Sequence, residues 1–173
     1  MRKMIITAVA VLAGGLAAST AFAQTPTPEQ TPPTEAVAAA PAAAAQDWNA
    51  VSRSATRAYL VDVAGIKVNG DVSTVTLARV PLNKPDPADK SYTLVAMEFR
   101  CAAKQSRAIS ETDHDATGAA LDSYVTGEEF SPYSSEALDG FVAAVVCDGD
   151  RGEPPTFPSI ATFISAGRPA PKR

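Results

Sequence analysis

The chain has 173 residues, 46% of them hydrophobic, with 15 basic and 19 acidic side chains and a net charge of −4. That balance repels nucleic acid and anionic lipid rather than gathering them. A single histidine, His114, leaves too few ligands for a multi-histidine zinc site.

The first third does not have the composition of a packed core. Arg2 and Lys3 precede an unbroken run of apolar and small residues from Met4 to Leu16, and Ala21-Phe22-Ala23 supplies a small-x-small cleavage pattern. Residues 1–23 therefore read as a secretory signal peptide cut after Ala23, with Gln24 as the new N-terminus. The alternative is an uncleaved anchor from Met4 to Phe22, weakened by Gly14, Gly15, Ser19 and Thr20. No cysteine follows the run, which argues against lipid attachment there, and no later segment is predicted to cross a membrane. Loss of Arg2 and Lys3 leaves 13 basic against 19 acidic groups. Residues 24–46 hold five prolines and eight alanines, with Val37 the only sizeable apolar side chain. This composition predicts a disordered spacer, which would reach about 70 Å if fully extended as polyproline II.

The folded region is expected over residues 47–150. Trp48 with Val51 predicts a first strand. Tyr59, Val61 and Val63, alternating with Leu60 and Asp62, predict a second over Arg57 to Val63. Asn69-Gly70 predicts a hairpin turn in the connection from Ala64 to Asp71, before a β-branched strand from Val72 to Val80 stopped by Pro81. After a loop over 83–90, Ser91 to Cys101 alternates most clearly, with Val95, Met97, Phe99 and Cys101 on one side and Tyr92, Leu94, Ala96, Glu98 and Arg100 on the other. A fifth strand at Lys104 to Thr112 and a weaker sixth through Leu121 and Tyr124 follow. Strand succeeds strand without helices between them, which predicts an antiparallel sheet with one covered and one partly wet face.

The cover is expected from a helix behind Ser134 or Ser135 as N-cap. Glu136 would lie in its first turn, Leu138, Phe141, Val142 and Val145 on its inner face, and Asp148-Gly149 at its end. Gly140 costs such a helix up to about 1 kcal/mol relative to alanine. Two cysteines far apart in an exported chain, Cys101 and Cys147, point to one structural disulfide. Neither has the neighbours that would stabilise a reactive thiolate. Beyond it, residues 151–173 form a C-terminal extension in which Ile160, Phe163 and Ile164 predict a short docked helix ending at Gly167, with a frayed basic tail from Arg168.

Candidate chemistry is sparse. Asp113-His114-Asp115-Ala116-Thr117-Gly118 begins like a calcium loop, but the twelfth place, which needs a bidentate carboxylate, is Tyr124. It reads as a turn, and His114 as a loop residue within it. Glu128 and Glu129 are adjacent in an extended segment and point apart, which suits surface charge rather than a catalytic pair. Asp62, between two valines, suggests a structural carboxylate. Ala108 to Gly149 contains no Lys or Arg; it is either a solvated face or a surface whose partner is basic.

Trp48, Tyr59-Leu60-Val61-Asp62 followed by Ile66 and Gly70, the strand from Val72, the strand ending at Cys101 with Arg107 after it, and the helix ending Val146-Cys147 come in an order that resembles the surface-adhesin protein E family of bacterial envelope proteins. The resemblance covers roughly Asp47 to Asp148. It implies an α+β fold of about six antiparallel strands packed on one C-terminal α-helix and tied by a Cys101–Cys147 bond. It also implies binding of host matrix or serum proteins, and a homodimer. Together these readings predict a periplasmic or secreted, non-catalytic, envelope-associated binding module without a cofactor. The alternatives are a surface adhesin and a small periplasmic enzyme, the latter requiring a cleft that gathers His114, Asp115 and Tyr124.

Overall fold

The computed structural model describes residues 45–171. The expected signal peptide with its cut after Ala23, and all but the last two residues of the expected spacer, lie outside the described residues. Eight strands form one antiparallel sheet: β1 (Trp48–Arg53), β2 (Arg57–Asp62), β3 (Lys67–Asn69), β4 (Val72–Pro81), β5 (Tyr92–Arg100), β6 (Gln105–His114), β7 (Ala120–Val125) and β8 (Ser131–Pro132). Two helices follow, α1 (Leu138–Cys147) and α2 (Ile160–Ser165). The strand order β1-β2-β4-β5-β6-β7 gives the six strands expected from sequence, with β3 also on β4 and β8 also on β6.

The two additional strands are continuations. β2 and β3 both run antiparallel to β4, and a 3-10 turn at Val63–Gly65 interrupts them. The segment expected to be a plain connection thus extends the sheet. Its hairpin pairs Asn69 with Val72, so Gly70 and Asp71 are the central turn residues. Gly70 takes φ of 62°, a position that favours glycine. β7 and β8 likewise both pair with β6. Pro81 does not stop β4 but is its last residue, opposite Arg57.

Alternation along the central strands produces two buried clusters. Val61, Val75, Leu77, Val95, Met97 and Phe99 belong to one, with Val142, Ala143 and Val145 of α1. Leu60, Ala78 and Val80 belong to the other, with Phe157, Ile160, Phe163 and Ile164 around α2, and Tyr92 and Leu94 packed against it. The face expected to be partly wet is therefore covered at one end by the C-terminal extension. That extension also shields the β1 edge, where Trp48 and Phe157 exchange backbone hydrogen bonds of 2.8 and 3.0 Å. Arg168 is buried rather than frayed. Its guanidinium donates to the carbonyls of Pro87 and Asp89 at 3.2 and 2.6 Å, and its own carbonyl accepts from Arg53 at 2.5 Å.

The helix α1 starts later than its serines suggest. Ala137 occupies the N-cap without a side-chain bond, and Asp139, not Glu136, lies in the first turn and accepts from buried Ser106 Oγ at 2.5 Å. The inner face is turned as well: Val142, Ala143 and Val145 are buried with Gly140, while Phe141 is only partly covered. Ser134 and Ser135 cross the helix closely at Gly140, where an added Cβ would sit 2.2 Å from the Ser134 carbonyl oxygen and 2.6 Å from Ser135 Cα. Glycine is required there by the crossing backbone. Cys101 and Cys147 are bonded, at S–S 2.05 Å and Cα–Cα 5.5 Å, tying the start of the β5–β6 turn to the last residue of α1.

Two stability measurements follow. Gly140→Ala, which helix propensity alone would favour by about 1 kcal/mol, is expected to destabilise by about 1–3 kcal/mol through overpacking; a raised urea midpoint would contradict the close crossing. Replacing both Cys101 and Cys147 by alanine should cost about 4 kcal/mol by loop-closure entropy. A loss under about 1 kcal/mol in the same unfolding experiment would show that the tie constrains the unfolded chain little.

Candidate functional site

The residues singled out for chemistry go to separate places. His114 is the last residue of β6, not a loop residue, and its ring stacks on Tyr92 with centroids 4.1 Å apart and planes 13° from parallel. Burial raises the Tyr92 hydroxyl above its ordinary ionisation range. Asp115 Oδ1 accepts from the Thr117 hydroxyl, the Thr117 amide and the Ala119 amide at 2.7, 2.8 and 3.0 Å. These donors hold its carboxyl below the usual range, the Thr117 hydroxyl contributing most. The calcium-like stretch is thus a self-satisfied turn. Among the described residues, no group of three or more His, Cys, Asp or Glu side chains is placed to hold a metal.

Much of the acidic region fastens the sheet. Glu111 Oε1 pairs with Arg79 at 2.8 Å and Oε2 accepts from Tyr124 at 2.8 Å, so one carboxylate on β6 links β4, across β5, to β7. Asp113 accepts from Thr93 at 2.7 Å. Glu128, expected to be plain surface charge, turns back to accept the Ala108 amide at 3.1 Å, and Thr126 Oγ1 donates to the Ala108 carbonyl. These side chains serve the backbone of β6 between β7 and β8, where no strand lies opposite. Asp62, as the sequence suggested, has a structural role: it is 8% exposed and accepts from the Asp47 amide at 3.0 Å.

Two aromatic features were not visible in the sequence. Phe130 lies between two guanidinium groups, Arg100 at 4.1 Å and Arg107 at 4.4 Å from its ring centroid. Arg107 is held in turn by Glu98 at 2.6 Å. This clamp holds Phe130, just before β8, against side chains of β5 and β6. A second feature is a shallow apolar groove of about 250 Å³ between β1 and α1, lined by Ala50, Val51, Phe141, Ala144, Val145 and Arg151.

The feature that most resembles a recognition surface is β7. Every one of its residues is exposed. Of the four exposed large hydrophobic residues among the described ones, three lie on it: Leu121 at 58%, Tyr124 at 50% and Val125 at 81%. Exposed apolar and aromatic side chains gathered on one strand mark an interaction surface more often than singly scattered ones do. Sequence alternation had placed Leu121 and Tyr124 on a strand. Their lack of cover could not be read there, because it depends on where the chain after Gly127 goes.

The Tyr124 hydroxyl donates to Glu111, and that bond raises its ionisation above the ordinary tyrosine value. A raised folded value means that the contact is complete at neutral pH and is lost as pH rises through it. In spectrophotometric titration, Tyr124→Phe should therefore remove absorbance change only above about pH 10. A loss of amplitude below that pH would contradict the bond.

A model of the surface-adhesin protein E family matches residues 48–148, the stretch from the start of β1 to the residue after α1. No characterised protein and no solved structure gave a significant match. The matched segment contains the whole sheet, the helix α1 and both bonded cysteines, and the chain belongs to the surface-adhesin protein E family.

Proposed function

We propose that this chain is an exported, non-catalytic, envelope-associated module that binds protein through the exposed surface of β7. The observation that carries the reading is the combination of family membership with an uncovered strand bearing Leu121, Tyr124 and Val125. Asp113, Asp115, Glu128 and the His114 ring are each engaged by a neighbour, which supports binding rather than turnover as the use of the domain. The leader over residues 1–23 would deliver the domain to the periplasm or beyond, and the spacer over 24–46 would give it reach.

The adhesin reading, in which the partner is a host matrix or serum protein, is favoured by the family description alone. It requires display outside the cell. Fractionation with protease treatment of intact cells separates the two readings, since a periplasmic domain survives and a displayed one is cut. Intact mass of the exported protein should correspond to a start at Gln24 with one disulfide.

Binding itself is tested by surface plasmon resonance on the immobilised mature protein, with matrix proteins, serum proteins and detergent-solubilised envelope proteins as analytes. Replacing Leu121 and Val125 together by serine should weaken the bound partner by about tenfold, as expected for removal of apolar anchors. Undiminished binding by this variant would remove β7 from the site, and absence of any protein partner would overturn the module reading.

A further inference from the structure

We propose that the outer edge of β7 accepts a basic, extended segment of a partner protein as one more strand of the sheet. This rests on the reading of the chain as a protein-binding module and adds the mode of recognition and the chemistry of the partner.

The two ends of the sheet differ. The β1 edge is bridged by Phe157 and approached by Gly152, where an added Cβ would lie 3.2 Å from the Ala50 carbonyl oxygen. Among the described residues, β7 pairs with β6 alone. The Thr126 amide donates to the Ile109 carbonyl at 3.1 Å, while Ser110 lies opposite Val125, Glu111 opposite Tyr124 and Thr112 opposite Ser123. Antiparallel pairs alternate between those that exchange hydrogen bonds and those that do not. The amides and carbonyls of Tyr124 and Thr126 are therefore spent on β6, and those of Ser123 and Val125 point outward from the edge. Natural edges are usually guarded by lysine, proline or a covering segment. β7, Ala-Leu-Asp-Ser-Tyr-Val, has neither of these residues; its ladder to β6 shifts register between Thr112 and His114, and every one of its residues is exposed. An edge with free donors and acceptors two residues apart, flanked by exposed Leu121 and Val125, has the elements of strand addition.

Charge decides what should lie there. No Lys or Arg occurs from Ala108 to Gly149, Asp122 sits within the strand, and Glu129 follows it. Cations around the strand are engaged or lie to one end: Arg79 is paired with Glu111, Arg107 with Glu98, Arg100 and Arg107 lie against the Phe130 ring next to Glu129, and the Lys90 amide donates to Ala116 at the β6–β7 turn. A second copy of this chain would bring the same acidic strand edge to edge, and like charges across a strand pair destabilise it. A segment alternating basic and β-branched apolar residues would set its charges near Asp122 and Glu129 and its apolar groups near Leu121 and Val125.

The test uses the isotope-labelled mature protein and an acetylated, amidated decapeptide of alternating lysine and valine, with the glutamate-valine peptide as control. The lysine peptide should slow hydrogen exchange at the Ser123 and Val125 amides and leave the β1 edge unchanged. Val125→Pro removes one outward N–H at an edge position that tolerates proline, and should weaken the peptide by about tenfold. A lysine-valine peptide N-methylated at alternate residues should bind as weakly, with no change to the protein. Absence of protection at Ser123 and Val125 overturns the proposal, as does equal protection by the glutamate peptide. Protection without peptide, together with a doubled sedimentation mass, makes the occupant a second copy and likewise overturns it. If Val125→Pro keeps full affinity for a protein partner found by surface plasmon resonance, the edge is wrong while the module reading stands. If no protein partner binds the unaltered chain, the module reading falls whatever the peptide does.

Discussion

Apolar side chains on both faces of β2, β4 and β5 form the constraint on which the rest of the structure depends. Along β2, Val61 enters one buried cluster and Leu60 the other; along β4, Leu77 and Ala78 do the same. Burial of side chains this size stabilises by roughly 1.5–3 kcal/mol each, so neither face can be left to water. The helix α1 covers one face and the Phe157–Ile164 segment the opposite one. The family segment closes at residue 148, and in this chain the second cover is supplied by residues beyond it.

Each cover is fastened by devices that act on the backbone. The Cys101–Cys147 bond holds the end of α1 beside the β5–β6 turn, and Ser106 reaches Asp139 in the helix's first turn. At its start, α1 relies on a close crossing by Ser134 and Ser135 over Gly140, in place of a side-chain cap. On the other face, Arg168 locks the end of the extension to the carbonyls of Pro87 and Asp89. Its two terminal nitrogens each meet one of these carbonyl oxygens, while its buried Nε has no hydrogen-bond partner.

The acidic stretch after Ala108 combines two roles that composition alone would merge. Glu111, Asp113, Asp115, Glu128 and Asp139 each accept hydrogen bonds that hold strands or turns in place. Asp122 and Glu129 remain on the exposed side, beside an edge strand whose apolar residues are uncovered. Carboxylates that fasten the sheet from within its own polar network leave the outermost strand free of cover, and the same region thus presents both negative charge and open backbone.

Local pattern determined a good deal of this protein. Alternation located β2 and β5, and strand-forming residues bounded by turns located β1, β4 and β6, each to within a few residues; Asn69-Gly70 marked a hairpin, and the spacing of Ile160, Phe163 and Ile164 marked α2. The count of the cysteines led to their pairing, because two thiols in one chain offer a single intramolecular pairing. What remained undecided were relations between segments distant in sequence. Which face α2 covers, the later start and rotation of α1, the return of Glu128 to the Ala108 amide, the stacking of His114 on Tyr92 and the double arginine clamp on Phe130 all depend on long-range placement. The exposure of β7 belongs with them. A strand's own residues set its alternation, but whether its edge is paired depends on where every other segment has gone, and only the tertiary structure decides that.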